Sequence, residues 1–125
     1  MINDILLYVG AGAITLWGIA HIASTKKVVA GFGSLSEDNK RIITMEWLAE
    51  GLTLCFIGLL VLLTTIFEDV QNPLSLIVYK MSALMLAIMA GWTLLTGAKT
   101  SILPIKVCPF VKTVVAILFL LGSAL

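Results

Sequence analysis

Apolar residues run along this chain in four long blocks that are separated by polar stretches. The blocks cover approximately residues 5–23, 42–67, 74–97 and 109–125. Each is close to the ~20 consecutive apolar residues that an α-helix needs to cross a bilayer. The pattern predicts an all-α, polytopic membrane protein in which residues 1–125 form a single domain, a bundle of four transmembrane helices.

The composition agrees with a membrane location. Of the 125 residues, 60% are hydrophobic and 12% are charged, and the mean hydropathy is +1.11. Soluble domains contain about 25% charged residues. The net charge of +1 offers no basic surface of the kind that attracts nucleic acids, so we expect no nucleic-acid partner. We expect a multi-pass protein of the inner (plasma) membrane that is surrounded by membrane lipids.

The basic residues near the connections predict the orientation. Four lie in or beside the first connection, none lies in the second (residues 68–73), and three lie in or beside the third. They are Lys26, Lys27, Lys40 and Arg41 in the first, and Lys99, Lys106 and Lys112 in the third. Because cytoplasmic loops are enriched in Lys and Arg, the first and third connections are predicted to be cytoplasmic. Both termini then lie outside.

The second apolar block opens with a helix start and contains two carboxylates. Ser36 is a residue type that caps helices well. Glu46 and Glu50 are four residues apart, which places them on one helical face that continues to Thr53. If the helix begins near Glu37, the two lie about 13 Å and about 20 Å along it. Two charges of one sign in lipid are costly, so we expect at least one carboxylate to be protonated, hydrogen-bonded or paired with a cation.

Depth estimates bring further side chains to the level of these carboxylates. His21 lies near the cytoplasmic end of the first block, with Trp17 one turn deeper, and Trp92 approaches the same end of the third block. The sequence therefore predicts a cavity that opens to the cytoplasm. Its candidate ligand- or proton-binding residues are Trp17, His21, Glu46, Trp47, Glu50, Thr53 and Trp92.

Each of these residues also has a structural interpretation. His21 either carries a proton, binds a metal or pairs with a buried glutamate, or it is an interfacial histidine bonded to a headgroup or a carbonyl. Trp47 either contacts a ligand or anchors its helix at the interface. The two glutamates either bind a ligand or hydrogen-bond to neighbouring helices. Glu46, Glu50 and His21 are the residues that could hold a metal, although the sequence identifies neither a metal nor a cofactor.

The fourth block is interpreted as a packing helix. Pro109 suits the first turn of a helix, which predicts that the helix begins there with Cys108 just before it. No ionisable residue follows Lys112. Cys55 lies deep in the second block, far from Cys108, so we expect no disulfide between them.

Residues 31 to 51 read like a family signature, GFGSLSEDNKRIITMEWLAEG. In its size and its four-block hydropathy profile, the whole chain resembles the small bacterial membrane proteins of the DoxX-like group. That resemblance implies a four-helix membrane fold and attaches no biochemical activity to it.

Three functions fit these features. The first is binding or transport of a proton, a cation or a small amphiphile through a cytoplasm-facing Glu/His site. The second is a membrane enzyme, an isomerase or an oxidoreductase, that uses a glutamate as acid or base on a lipid-soluble substrate. The third is a non-catalytic subunit or assembly factor of a membrane complex. We expect the protein to form a homo-oligomer.

Overall fold

A computed structural model describes residues 1–125, and α-helices account for most of them. The helices are α1 (Ile2–Ala23), α2 (Thr25–Gly31), α3 (Glu37–Phe67), α4 (Pro73–Leu95) and α5 (Leu103–Ala124), with a short 3-10 helix at Gly97–Lys99. Four of them, α1, α3, α4 and α5, are long and apolar enough to cross a membrane. The predicted all-α fold with four membrane-spanning segments is confirmed.

The starts of α3 and α4 follow from residues that satisfy free backbone N–H groups. The Ser36 hydroxyl accepts a hydrogen bond from the Asn39 N–H at 3.2 Å, as the sequence predicts for the start of α3. The Asn72 side chain accepts one from the Leu74 N–H at 3.0 Å, and Pro73 occupies the first turn of α4. Proline fits there because its missing N–H would have no helical partner.

The last helix begins earlier than the sequence predicted. α5 starts at Leu103, with Pro104 in its first turn, and Pro109 lies inside the helix. The prediction that this helix begins at Pro109 is therefore wrong. Two prolines five residues apart both suit a first turn, and the sequence pattern favoured the later one. As a consequence, Lys112 lies about 13 Å into the helix and does not flank a loop.

The helix contacts are uneven around the bundle. α1 packs extensively against both α3 and α5, and α5 packs against α4, whereas α3 and α4 touch only sparsely. The core between them is apolar. Its buried members are Leu7, Ala11, Ile14, Leu54, Ile57, Val61, Tyr79, Ala83, Leu86, Val115, Ala116 and Phe119. The sparse contact between α3 and α4 leaves room beside the core.

Glycines bring α1 and α3 unusually close. A Cβ atom at Gly18 would lie 2.9 Å from the Gly51 carbonyl oxygen, and a Cβ at Gly51 would lie 2.6 Å from the Ile22 side chain. A larger residue at either position would force the helices apart. Small residues allow such approach between membrane helices, where packing drives association. This contact fixes the position of Glu50, the residue before Gly51, relative to α1.

The outside of the bundle is apolar along its length, and its two ends differ in charge. Large apolar side chains such as Phe56, Leu63 and Ile88 are exposed, as a lipid-facing surface requires. One end, called the basic end below, carries the exposed side chains of Lys26, Lys27, Lys40 and Arg41. The opposite end carries Asp4, Glu68 and Asp69.

Candidate functional site

A cavity of about 450 Å³ lies at the basic end of the bundle. α1 contributes one wall of the cavity. α3 contributes Trp47 and Glu50, α4 contributes Thr93, and the first turns of α5 close the remainder. The lining residues are Trp17, Ala20, His21, Ser24, Trp47, Glu50, Thr93, Leu103, Pro104, Ile105, Val107 and Cys108. The wall is mostly apolar and has a polar region where α1 and α3 meet.

A buried ion pair lies beside this cavity. The Lys112 side chain on α5 has an exposed fraction of 0%, and its ammonium group donates hydrogen bonds to the Glu50 carboxylate on α3 and to the Thr93 hydroxyl on α4, the latter at 3.0 Å. An unpaired buried ammonium would be very costly, so the two acceptors explain how the bundle tolerates this charge. The pair therefore connects three helices, including α3 and α4, which otherwise touch little.

His21 completes a polar cluster with Glu50. It is 9% exposed, and its ring is stacked on the Trp47 ring with centroids 3.8 Å apart and planes 13° from parallel. Its Nε2 atom lies 3.6 Å from a Glu50 carboxylate oxygen, beyond hydrogen-bond range, and has no other partner. We call Glu50, Lys112, Thr93 and His21 the charged cluster.

The two indole rings in the cavity wall are held by hydrogen bonds to other helices. The Trp47 N–H donates to the His21 carbonyl oxygen at 2.8 Å, and the Trp17 N–H donates to the Cys108 sulfur at 3.3 Å. Buried indole groups normally find such partners. The rings are thus fixed as walls, and their N–H groups are not free to bind a ligand.

The structure brings together four of the seven candidate site residues. Trp17, His21, Trp47 and Glu50 all line the cavity, at the end of the bundle where the depth estimates placed them.

The other three candidates lie outside the cavity. Glu46 is exposed and forms no ion pair. Thr53 is half-buried, and its hydroxyl donates to the Ala49 carbonyl within α3 at 2.7 Å. Trp92 is 69% exposed and does not line the cavity, whereas the next residue, Thr93, does. Residues four apart on a helix point in directions that differ by about 40° around its axis. Glu50 lies at the edge of the cavity, and this difference in direction places Glu46 outside it.

Sequence reasoning missed Lys112, Thr93 and Cys108. Lys112 was counted with the third connection because the helix was predicted to begin at Pro109. One signal was available: a lysine inside an apolar helix, at a depth where it needs an anionic partner. Thr93 and Cys108 carry no such signal, since either residue is ordinary in a membrane helix. Cys55 and Cys108 are both free thiols.

The donor groups do not assemble a metal site. No three His, Cys, Asp or Glu side chains converge anywhere in the structure. The set Glu46, Glu50 and His21 is divided because Glu46 lies outside the cavity. In addition, the Lys112 ammonium already occupies the cation position at Glu50.

No family model, curated protein or solved structure matches this chain. The fold and the site define a class nonetheless. The protein is a small, all-α protein with four helices suited to crossing a membrane, and a cavity at one end borders a buried Glu–Lys ion pair.

Proposed function

We propose that this protein binds a small amphiphile in the cavity at the basic end and exchanges it with the surrounding membrane. The observation that carries the proposal is the make-up of the cavity wall, in which indole and aliphatic side chains surround the Glu50 carboxylate. Ligand sites commonly have this pattern, with apolar walls that hold the body of a ligand and a few polar groups that orient it.

The uneven packing of the bundle supports exchange with the membrane. α3 and α4 touch only sparsely, and both contribute residues to the cavity wall. A lipid-soluble molecule would enter between these helices, beside the Lys112 contacts with Glu50 and Thr93 that link them, and would not have to cross the tightly packed contact of α1 with α3.

In this proposal the protein lies in the inner (plasma) membrane with the basic end in the cytoplasm. Without Lys112, the third connection still carries Lys99, and Lys106 lies in the first turn of α5, whereas residues 68–73 carry no basic residue. A membrane-impermeant thiol reagent is expected to label Ser34→Cys and Thr100→Cys from the cytoplasmic side and Gln71→Cys from the outside. Labelling of Gln71→Cys from the cytoplasm would reverse the orientation.

Filling the cavity tests the proposed binding. Ala20 lines the cavity, whereas Ala13 is exposed on the same helix and does not line it. In a Trp92→Phe background, energy transfer from Trp17 and Trp47 to the neutral fluorophore N-phenyl-1-naphthylamine should saturate. Ala20→Phe should abolish the saturable part, and Ala13→Phe should retain it. Equal, unsaturable transfer in all three proteins would contradict the proposal.

One observation favours an enzyme as the second candidate. The buried His21 Nε2 atom has no hydrogen-bond partner and faces a Glu50 oxygen at 3.6 Å. The Glu50 carboxylate lines the cavity and could act as acid or base on a bound molecule, with the imidazole behind it as its proton partner. The enzyme hypothesis predicts that an amphiphile incubated with the purified protein is converted to an isomer by proton transfer, and that His21→Phe stops the conversion while binding persists.

A further inference from the structure

The polar atoms around the cavity differ in what they can still bind. The Lys112 side chain is fully buried, and the His21 Nε2 atom is inaccessible, so neither can touch a ligand in this arrangement. The Thr93 hydroxyl donates to the Met89 carbonyl at 2.8 Å and accepts from Lys112. The Ser24 hydroxyl donates to the His21 carbonyl at 2.9 Å.

Glu50 is the exception among these groups. Its side chain is 31% exposed, and it lines the cavity. One carboxylate oxygen accepts from Lys112, and the other has no hydrogen-bond donor. A carboxylate has about four acceptor sites, so Glu50 retains the capacity to accept further hydrogen bonds. The group that faces a ligand is therefore an acceptor.

The charge at the site is already balanced. Lys112 and Glu50 together carry no net charge if both are ionised. A cationic ligand at Glu50 would lie near the buried Lys112 ammonium, and an anionic ligand would meet the carboxylate directly. Both repulsions act in a low-dielectric region that screens them weakly. A neutral head avoids both.

From this geometry we infer that the ligand is a neutral amphiphile whose head donates a hydrogen bond to Glu50, as an alcohol or a phenol does. The inference rests on the proposed binding function and specifies its ligand class. The cavity volume of about 450 Å³ lies within the range of about 300–1,000 Å³ that is typical of small-molecule sites. The Trp17 and Trp47 rings provide the apolar walls for the body of such a ligand.

A matched set of probes tests the ligand class. Three ten-carbon chains carry a bromine at one end and an alcohol, an amine or a carboxylic acid at the other. The bromine quenches indole fluorescence, and the Trp92→Phe background leaves Trp17 and Trp47 as the reporters. The full-length protein is titrated in phosphatidylcholine nanodiscs at about pH 8, where the amine and the acid are charged.

The alcohol is expected to half-saturate quenching at a concentration about tenfold lower than the amine or the acid. Glu46→Gln serves as the matched control, because Glu46 is an exposed carboxylate on the same helix. This substitution should leave unchanged the order in which the protein prefers the alcohol, the amine and the acid. If the amine or the acid binds most tightly, the inference on ligand class is wrong and the binding function stands. If none of the three quenches saturably, the proposed function itself fails.

Removing the positive charge of Lys112 should change which of the three probes binds most tightly. In Lys112→Met the Glu50 carboxylate loses its cation, so the amine should gain about tenfold relative to the alcohol. A variant with wild-type helix content and an unchanged ranking would contradict the role of charge balance. If Lys112→Met does not fold, the ranking in the protein with Lys112 intact decides the inference.

Discussion

Two polar clusters interrupt the apolar interior of this bundle, and they differ in charge. At the basic end, the charged cluster contains an ion pair between Glu50 and Lys112. Toward the opposite end, Thr65, Ser75 and Tyr79 form a second group that consists of hydroxyls, and all three residues are buried. We call this group the hydroxyl cluster.

The hydroxyl cluster joins helices without any charge. The Thr65 and Tyr79 hydroxyl oxygens are 3.1 Å apart and link α3 to α4. The Tyr8 hydroxyl of α1 donates to the Thr65 carbonyl at 3.5 Å. Neutral hydroxyls contribute modestly to the association of membrane helices, and their burial costs far less than that of a charge.

The charged cluster connects the same two helices at a larger desolvation free energy than the hydroxyl cluster does. It joins α3 to α4 through a lysine on α5, although a pair of hydroxyls achieves a direct link elsewhere. Buried ion pairs often contribute less to stability than apolar side chains of similar size. The comparison shows that a buried charge is not required to link α3 and α4, since the hydroxyls of Thr65 and Tyr79 link the same two helices.

The largest expected effect comes from removing the cation of the charged cluster. Lys112→Met leaves the Glu50 carboxylate at the cavity wall without its partner. We expect the free energy of unfolding to fall by about 3 kcal/mol. This value is near the lower limit for breaking a buried ion pair, because the Glu50 side chain is 31% exposed and is therefore only partly desolvated. Unfolding in mixed detergent micelles, followed by far-UV circular dichroism, measures the change.

Two further variants isolate the ion pair from the loss of a lysine. Lys80 on α4 is exposed and forms no ion pair, so Lys80→Met should change stability little. Glu50→Gln combined with Lys112→Met removes both charges and should recover most of the lost stability. A double variant as unstable as Lys112→Met alone would show that packing around the lysine stem, and not the charge, determines the loss.

A smaller effect is expected at the hydroxyl cluster. Tyr79→Phe removes one hydrogen bond to Thr65, whose hydroxyl still donates to the Val61 carbonyl at 2.7 Å. The expected loss in the free energy of unfolding is about 0.6 kcal/mol, the average for hydrogen bonds between membrane helices. Saturable binding at the basic end should be unchanged. Loss of binding in Tyr79→Phe would mean that the two clusters are coupled.

The fold was predictable from the sequence because hydropathy determines which segments can cross a membrane. The start of α3 was also predictable, since Ser36 and the acidic residues after it are local signals. Trp17, His21 and Glu50 were placed at one level because depth along a helix follows from a fixed rise per residue.

The direction in which each helix turns its side chains was not predictable from the sequence, in contrast to their depth along the helix. Which face of α3 meets α1 depends on the close approach at Gly18 and Gly51, a contact between distant parts of the chain. That contact turns Glu50 toward the cavity and leaves Glu46 at the surface. The partner of Glu50 was missed for another reason: the predicted start of the last helix at Pro109 placed Lys112 in the first turn of that helix, beside the loop, where a basic residue needs no explanation.

The buried Lys112 partner changes the expectation for Glu50→Gln. From the sequence alone, this substitution would be harmless to folding, because it removes a charge from lipid and keeps a polar group. In the structure it leaves the buried Lys112 ammonium with neutral acceptors alone, the new amide oxygen and the Thr93 hydroxyl, and without an anionic partner. Glu50→Gln should therefore lower the free energy of unfolding.

The smallest expected effect separates the two glutamates most directly. Glu46 and Glu50 have the same side chain, lie one turn apart on α3, and differ in exposure and partners. Because Glu46 is exposed and unpaired, Glu46→Gln should change the free energy of unfolding by less than about 0.5 kcal/mol. Parallel unfolding and quenching titrations of Glu46→Gln and Glu50→Gln give the comparison. A loss of binding in Glu46→Gln equal to that in Glu50→Gln would mean that both carboxylates act on the ligand, as the helical spacing alone predicted, and that α3 is rotated in the functional state.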